Sequence, residues 1–599
     1  MGKGSAAVPG ESRRFRSVLR SLAVASAFLA GSAAAAQVAP TREEIQRPPL
    51  EADQPPAARL TVEGGIERAP CALDRPEYQA IRLTVTGVEF ADLRGLNADD
   101  LRPAYASYLG QEHPIAVICE IRDRAATILR DAGYVAAVEV PEQRIIDGHI
   151  RFQVLMAKLV GLRVRGNAGR SERAIARYLE RLTQRDVFNR YEAERYLLLA
   201  GDLPGLDVRL ALRSAGAARG EVIGEVTVVR RAAQADVAIQ NLGSRELGRW
   251  GAMVRGQVFG LTGLGDRTTI AVFTTADTSE QQTLQIAHDF RVGSEGLAFG
   301  GQLTYAWASP DLDLPGVEID SQTLYATLEA SYPFVRRQAL TLRGALGLDI
   351  IDQDIVFNGI PLNRDRMRIA FVRADLDAVG LVPGNPQYTL TAPRWRLSAN
   401  AELRRGLDIF GAFDGCGTGL IGCLAPNVVP PTRLEGDPDA FVVRGGLYGE
   451  FRPVPNFTIA IGARGQWASD SLFSFEEFSA GNYTAGRGYD PGALLGDSGI
   501  GLQAELRYGN TVPAGPKDLA FEPYVFFDQA WVWNEDVLFA MPRQEVSSIG
   551  GGIRAVYGDR FRIDVLLAEP LDRTPLQTRR GDTRLLVTLT ARLWPWRSR

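Results

Sequence analysis

The sequence predicts an all-β membrane barrel of sixteen antiparallel strands preceded by two α+β units. Three observations carry that expectation. Beyond residue 231 helical periodicity vanishes, and short segments of alternating apolar and polar residues recur to the C-terminus. The links between those segments alternate short and long in phase with strand number. Ahead of them, the order β-α-α-β-β runs twice in about 150 residues.

At 599 residues the chain exceeds a single core, so several domains are expected. Basic and acidic residues nearly balance (67 against 71, net charge −4), which gives no sign of a nucleic-acid partner. Three His and four Cys leave little material for metal or thiol chemistry. No internal run of 18 apolar residues exists for a membrane helix, but a β-barrel shows its apolar character only at every second residue.

Arg13, Arg14, Arg16 and Arg20 precede a short apolar run, Leu22 to Ala36, that ends in an A-x-A site. Residues 1–36 therefore read as a secretory signal peptide cleaved after Ala36, and the mature chain reaches a compartment where disulfides persist. A membrane anchor would need a longer and less Ala-rich run. The Arg13-Arg14 pair lacks the surrounding residues of a twin-Arg signal. Residues 37–79 form a proline-punctuated linker, in which Thr41 to Arg47 has room for one or two helical turns before Pro48 stops them.

Residues 80–157 are the first α+β unit. Ile81 to Val85 alternates as a strand, Asn97 caps a helix through Tyr108, and Val117 to Ala132 is an amphipathic helix stopped by Gly133. Strands follow over 135–140 and 149–155. Residues 158–231 repeat the order with a strand over 159–164, helices over 171–182 and 191–200, and strands over 206–212 and 221–229.

Residues 232–599 are the barrel. Alternating segments begin near 235, 251, 266, 282, 297, 321, 338, 367, 395, 440, 456, 501, 521, 546, 561 and 584. Short links (333–337, 452–455, 558–560) follow even-numbered strands, as periplasmic turns do. Long links (309–320, 350–366, 406–439, 468–500, 572–583) follow odd-numbered strands and are placed outside. Two even links, 379–394 and 509–520, are longer than that rule expects. A soluble sandwich has no reason to segregate loop lengths in this way.

Link 468–500, the sixth external loop, contains Gly486-Arg487-Gly488-Tyr489-Asp490-Pro491-Gly492. On chemistry alone this is a Gly-rich turn with an Arg that needs a carboxylate wherever it leaves water. Leu403 to Gly411 forms a second, shorter motif, and Tyr524-Val-Phe-Phe-Asp528 lies on the thirteenth strand. Together with Gly133-Tyr134-Val135, Val140-Pro141-Glu142-Gln143 and Asp147-Gly148-His149-Ile150, these motifs resemble the two-partner secretion transporters of the Omp85 superfamily, the haemolysin secretion/activation proteins. The two α+β units are similar to that family's POTRA domains.

The resemblance implies that the sixth loop folds back into the lumen. Its Arg487-Gly488-Tyr489 tip, with Asp490 beside it, would contact the wall, and Asp528 would be the partner of Arg487. Ala530 stands where the family carries Gly. The alternative is that Arg487 and Asp528 face lumen water independently. Cys416 and Cys423, seven positions apart in one external loop, are candidates for a disulfide. Cys71 and Cys119 are a second candidate pair, the alternative being that Cys119 is plain core.

No Walker loop, His-Glu-x-x-His, Gly-x-Ser-x-Gly or CxxC occurs, and His113, His149 and His288 are scattered. No enzyme activity, catalytic residue, metal or cofactor is therefore expected. The resemblance implies an outer-membrane pore with its POTRA domains in the periplasm. Such a pore recognises a large exoprotein, adhesin or haemolysin, and passes it to the cell surface without nucleotide hydrolysis. The edge strand around Val135, Val138 and Val140 is the candidate for pairing with that substrate. Other expected partners are outer-membrane lipid and the barrel-assembly machinery, which reads a terminal aromatic such as Trp594; nucleic acid is not expected.

The alternative reading is an Omp85-type factor that inserts other outer-membrane proteins, although two POTRA units are fewer than such factors usually carry. A passive porin has no reason to carry them at all. Some family members plug the pore with an N-terminal helix; here the shortness of Thr41 to Arg47 argues against a plug.

Overall fold

The computed structural model describes residues 39–46, 60–62 and 71–595, apart from 79, 216–219, 313, 383–384, 418–421, 424, 536–542, 559 and 576. The signal peptide and most of the linker lie outside the described residues.

A short helix α1 (Arg42–Gln46) and a strand β1 (Leu60–Val62) precede the first α+β unit. That unit holds β2 (Arg82–Thr84), β3 (Gly87–Ala91), β4 (Glu112–Pro114), α2 (Val117–Asp131), β5 (Ala136–Glu139) and β6 (His149–Met156). Its sheet order is β3-β6-β5, with β3 parallel and β5 antiparallel to β6. Ile118, Ile121, Ala125 and Leu129 put the apolar stripe of α2 onto Ile150, Phe152 and Val154. Spacings of three and four are what hold one helical face on a sheet.

Two expectations change here. The sheet strand is β3, where Phe90 stacks on Phe152 at 5.3 Å. The expected strand 81–85 instead contributes β2, which pairs with β4 in a separate ribbon. Alternation alone names a strand but not its partner. Asn97 does cap, with its N–H donating to Asp100 Oδ2 at 2.8 Å, but the turns that follow are 3-10 over Ala98–Ala104 and Ala106–Tyr108. Pro103 inside that run cannot donate an α-helical bond.

The second unit holds β7 (Lys158–Gly166), α3 (Glu172–Thr183), α4 (Arg190–Gly201), β8 (Leu206–Ser214) and β9 (Glu221–Arg230). Ile175, Tyr178, Leu179, Leu197 and Leu198 pack on Val208, Leu210, Leu212 and Val226. Fully burying each such side chain contributes about 1.5–3 kcal/mol. The sheet order is β1-β8-β9-β7, so the linker supplies a fourth strand, parallel to β8 with Leu60 opposite Leu210.

The barrel opens with β10 (Ala233–Gln240), β11 (Gly251–Phe259), β12 (Arg267–Thr275), β13 (Gln281–Val292), β14 (Leu297–Ala308) and β15 (Ile319–Arg336). It continues with β16 (Leu340–Phe357), β17 (Ile360–Gly380), β18 (Trp395–Gly406), β19 (Phe441–Val454) and β20 (Phe457–Ala468). After β21 (Phe478–Ala480) and β22 (Leu494–Gly496), both inside the sixth loop, come β23 (Ser498–Tyr508) and β24 (Leu519–Trp533). Finally β25 (Arg543–Tyr557), β26 (Phe561–Pro570) and β27 (Arg584–Trp594) bring the sheet round. Sixteen strands close, with β10 paired to β27 through Val237–Ala591 and Ile239–Leu589.

Alternation sorts the two faces. Ile270, Leu328, Leu346, Val372, Ile461 and Val525 point outward and are exposed on the barrel surface, with Trp250, Trp307, Trp395 and Tyr508 among the exposed aromatics. Such an apolar band with aromatic residues is what a bilayer requires. Inward positions include Asp349, Asp365, Arg404, Glu505 and Asp528, all buried.

The expected loop 350–366 is not a loop. β16 and β17 run on as a ribbon to Asn358-Gly359, whose φ values of 46° and 76° make a two-residue turn with both residues left-handed. Asn-Gly is the pair that this turn favours, because it matches the right-handed strand twist.

The second unit is fastened to the barrel by short turns. Arg336 forks onto Asp202 at 2.7 Å through both Nε and Nη2, Tyr196 donates to Glu295 at 3.0 Å, and the Gln338 N–H donates to Glu194 at 2.6 Å.

Candidate functional site: the occupied lumen

The sixth loop leaves β20, turns inward and forms a small hairpin from β21 and β22. Its tip carries Arg487, which is buried. The Arg487 backbone N–H and Nε both donate to Asp528 Oδ2 at 2.9 Å, and Nη2 donates to Oδ1 at 2.6 Å. Nη1 meets Glu505 on β23, and the guanidinium carbon lies 3.7 Å from the ring centre of Phe526. Two carboxylates, a π face and a bidentate fork are the surroundings that make a buried Arg tolerable. Burial alone would weaken its charge; Asp528 and Glu505 more than offset that and keep it protonated.

Glu505 is itself shared: Arg507 Nε donates to it at 2.6 Å, and Arg554 donates at 3.0 and 3.1 Å. Gly488 follows at the tightest point. A Cβ there would stand 2.9 Å from Pro570 N and 3.0 Å from Ser548 Cβ. The close backbone approach is therefore against β25 and β26, and Ala530, fully buried in the apolar cluster with Tyr489, does not obstruct it. The Tyr489 hydroxyl donates to Ser547 O at 2.8 Å and accepts from the Asp572 N–H at 2.9 Å. Asp490 Oδ1 lies 3.0 Å from Arg249 and 2.8 Å from Arg584, which ties the tip across the barrel's closing strands.

A second element shares the lumen, contrary to the sequence expectation. Helix α1 sits inside the barrel. Ile45 is 3% exposed and packs on Tyr325, Ile351 and Met367 of the wall and on Phe473 and Phe475 of the sixth loop. Arg464 donates to Glu43 at 3.0 Å, and Arg42 lies 4.0 Å from Glu476. Burial opposes the Glu43 charge, but Arg42 and Arg464 prevail and hold its carboxyl down at about 2. Glu476, on the sixth loop, is gripped by Arg404 at 3.2 Å and Arg444 at 2.7 Å and is likewise held at about 2 against its burial.

The first turn of this five-residue helix has its own cap. The Thr41 N–H donates to Glu44 Oε2 at 2.9 Å and the Glu44 N–H returns to Thr41 Oγ1 at 3.3 Å, a capping box. The Thr-x-x-Glu spacing was readable in the sequence. The seat that makes so short a helix stable was not, because its parts come from five distant strands and loops.

On the outer side, the loop following β18 folds over the mouth. Thr432 donates to Asp365 at 2.7 Å, and Arg433 reaches Glu435 and Glu477, both at 2.9 Å, and also Asp497. Cys416 and Cys423 are bonded in this loop, and Cys71 is bonded to Cys119 of α2. The candidate pairing strand is shorter than expected, β5 spanning 136–139 only. Val138 is buried in the core, Val140 packs against that core, and Val135 leans on the second unit. Their side chains are thus committed, and what β5 offers is the backbone of an edge.

Among the described residues no group of three or more His, Cys, Asp or Glu is arranged to hold a metal ion.

Comparison with known proteins follows the same outline. A family model described as "Haemolysin secretion/activation protein ShlB/FhaC/HecB" matches residues 226–555, and one described as "POTRA domain, ShlB-type" matches residues 83–156. The heme/hemopexin transporter protein HuxB of Haemophilus influenzae is 21% identical over 514 residues, 82% of this chain and 85% of its own length. CdiB from Escherichia coli superposes with a TM-score of 0.70 at 15% identity, covering 88% of this chain and 94% of the other. CdiB from Acinetobacter baumannii gives 0.61 at 15% identity, with 94% and 99% covered.

Proposed function

We propose a function from one premise: this chain belongs to the haemolysin secretion/activation (ShlB/FhaC/HecB) family, outer-membrane β-barrels of the Omp85 superfamily that serve two-partner protein secretion and hold their POTRA domains in the periplasm. On that premise it exports one large exoprotein, an adhesin or haemolysin, to the cell surface without nucleotide hydrolysis. The observation that best supports this reading is the filling of the lumen by parts of the chain itself. The contacts of helix α1 with the barrel and the sixth loop include an ion pair at 3.0 Å, a longer one at 4.0 Å and the apolar side chain of Ile45. Such contacts are individually worth about one to a few kcal/mol, a cost that binding an extended polypeptide can offset.

The exoprotein is taken up as an extended strand by an open sheet edge. β5 is such an edge, and main-chain pairing there tolerates many sequences. The β8 edge is already filled by the chain's own β1. The Arg487–Asp528 contact acts as an anchor rather than a catalytic pair: it fixes the sixth loop against the wall while the path is closed. Outer-membrane lipid surrounds the apolar band, and assembly machinery inserts the barrel.

The test is deletion of this protein's gene in its own organism. The expected result is loss of a single large protein from the medium with other outer-membrane barrels at normal levels. General depletion of those barrels would instead establish an assembly factor.

A further inference from the structure

Where the second α+β unit meets the barrel, a cavity of about 1140 Å³ opens below α1. Its lining is unequal in charge. Seven arginines (230, 231, 255, 267, 291, 373 and 592) face four acids, Asp202, Asp207, Asp289 and Glu329. Asp202 and Asp207 are engaged by Arg336 and Arg209, outside the lining, while Arg373 is met by Glu329 and by Asp375 and Glu402, also outside it. Asp289 alone serves two arginines, Arg267 and Arg291.

The imbalance peaks at the closing strands. Asp236 stands opposite Arg255 on β11 and opposite Arg592 on β27, so one carboxylate lies between two arginines in a single row. Arg255 Nη2 donates to Asp236 at 2.9 Å, and the carboxylate also accepts from Gln234. Arg255 is 8% exposed, and its Nε has no hydrogen-bond partner. Arg230, at the end of β9 where the chain turns into the barrel, makes no ion pair among the described residues. A buried, incompletely hydrogen-bonded guanidinium on a cavity wall can donate to a carboxylate, and a low-dielectric recess with a net positive lining attracts negative charge.

We infer that this vestibule is a binding site for carboxylate side chains of an extended polypeptide, so that acidic segments of the exported protein are drawn in and held at Arg255 beneath α1. The inference rests on the proposed export function and names the chemistry of what is admitted.

The test uses the full-length protein and a variant lacking residues 41–46 in planar bilayers, with a short oligoglutamate or oligolysine added from the POTRA side. Oligoglutamate blocks the current of the deletion variant from that side, and the block weakens steeply between about 0.1 and 1 M salt. Arg255→Gln weakens it about tenfold, the effect of losing one charge-assisted contact. Arg230→Gln, at the domain junction, weakens it in the same direction and serves if Arg255→Gln fails the heat-modifiability check for a folded barrel. Equal block by oligolysine, or no block by oligoglutamate, overturns the inference. Export of the exoprotein by the intact protein is measured separately in cells. Export without acid-selective block removes only the vestibule, whereas absence of export removes the function on which it rests.

Discussion

Replacing Asp528 with Ala tests the lumen anchor most directly. The substitution removes three acceptor contacts from Arg487, at 2.9, 2.9 and 2.6 Å, and leaves a guanidinium buried beside Phe526. Breaking a buried pair costs about 3–5 kcal/mol. Glu505 remains beside Nη1, so the lower end applies, about 3 kcal/mol. At about 1.4 kcal/mol per decade, the unseated population of the loop tip rises roughly a hundredfold. Ala485, 1% exposed under the tip, reports this when changed to Cys, because the protein has no free cysteine of its own. Maleimide labelling of Ala485→Cys in the folded protein should accelerate by about that factor with Asp528→Ala. Arg487→Lys should give an intermediate rate, since an ammonium keeps the charge but not the fork. Labelling within about twofold of the parent would refute the anchor, and so would an equal acceleration by Ser548→Ala, whose hydroxyl is 3.4 Å from Asp528.

Three further outcomes are expected. Ile45→Asp places a charge on the wall formed by Tyr325, Ile351 and Met367, so single-channel recordings should show a larger open fraction than for Arg464→Ala, which loses only a part-exposed pair worth about 1 kcal/mol. Burial pushes the Glu477 carboxyl up to about 7, with Arg433 opposing and Asp497, Glu435 and Asp365 adding to the rise. The folded loops therefore hold a proton that the released chain gives up: their stability is fullest below the ordinary carboxylate range and falls as pH rises through about 7. Protease cleavage of the outer loop should be faster at pH 8 than at pH 5, and Glu477→Gln should flatten that difference. Cys119→Ala opens a closure of 48 residues, worth about 4 kcal/mol in the chain-entropy reckoning, so the first α+β unit should be cleaved at lower urea in intact membranes while the heat-modifiable barrel is unchanged.

Sixteen strands were legible in the sequence because each must alternate to face lipid on one side and the lumen on the other. The start positions read from alternation agree with the fold to a few residues, except at β17, which begins at Ile360. There β16 and β17 continue through the expected link 350–366 as a ribbon, and the signal for it is the Asn358-Gly359 pair that closes the turn. Three of the four helices of the α+β units, α2, α3 and α4, were equally plain, whereas the stretch after Asn97 forms 3-10 turns around Pro103. The choice between β2 and β3 was not, since both stretches satisfy the same local pattern.

Element order, barrel parity and the pairing chemistry available to Arg487 can be read along the chain, because periodicity and charge are local properties that one stretch of chain displays alone. What fills the lumen is set instead by residues that folding brings together from distant parts of the chain. Helix α1 has too few residues to persist unaided, and its place depends on Ile45 meeting side chains from β15, β16, β17 and the sixth loop, and on Glu43 meeting Arg464 more than four hundred positions away. The same holds for the charge excess of the vestibule. A chain with net charge −4 carries it only because strands from both ends of the barrel bring Arg255 and Arg592 to either side of one carboxylate.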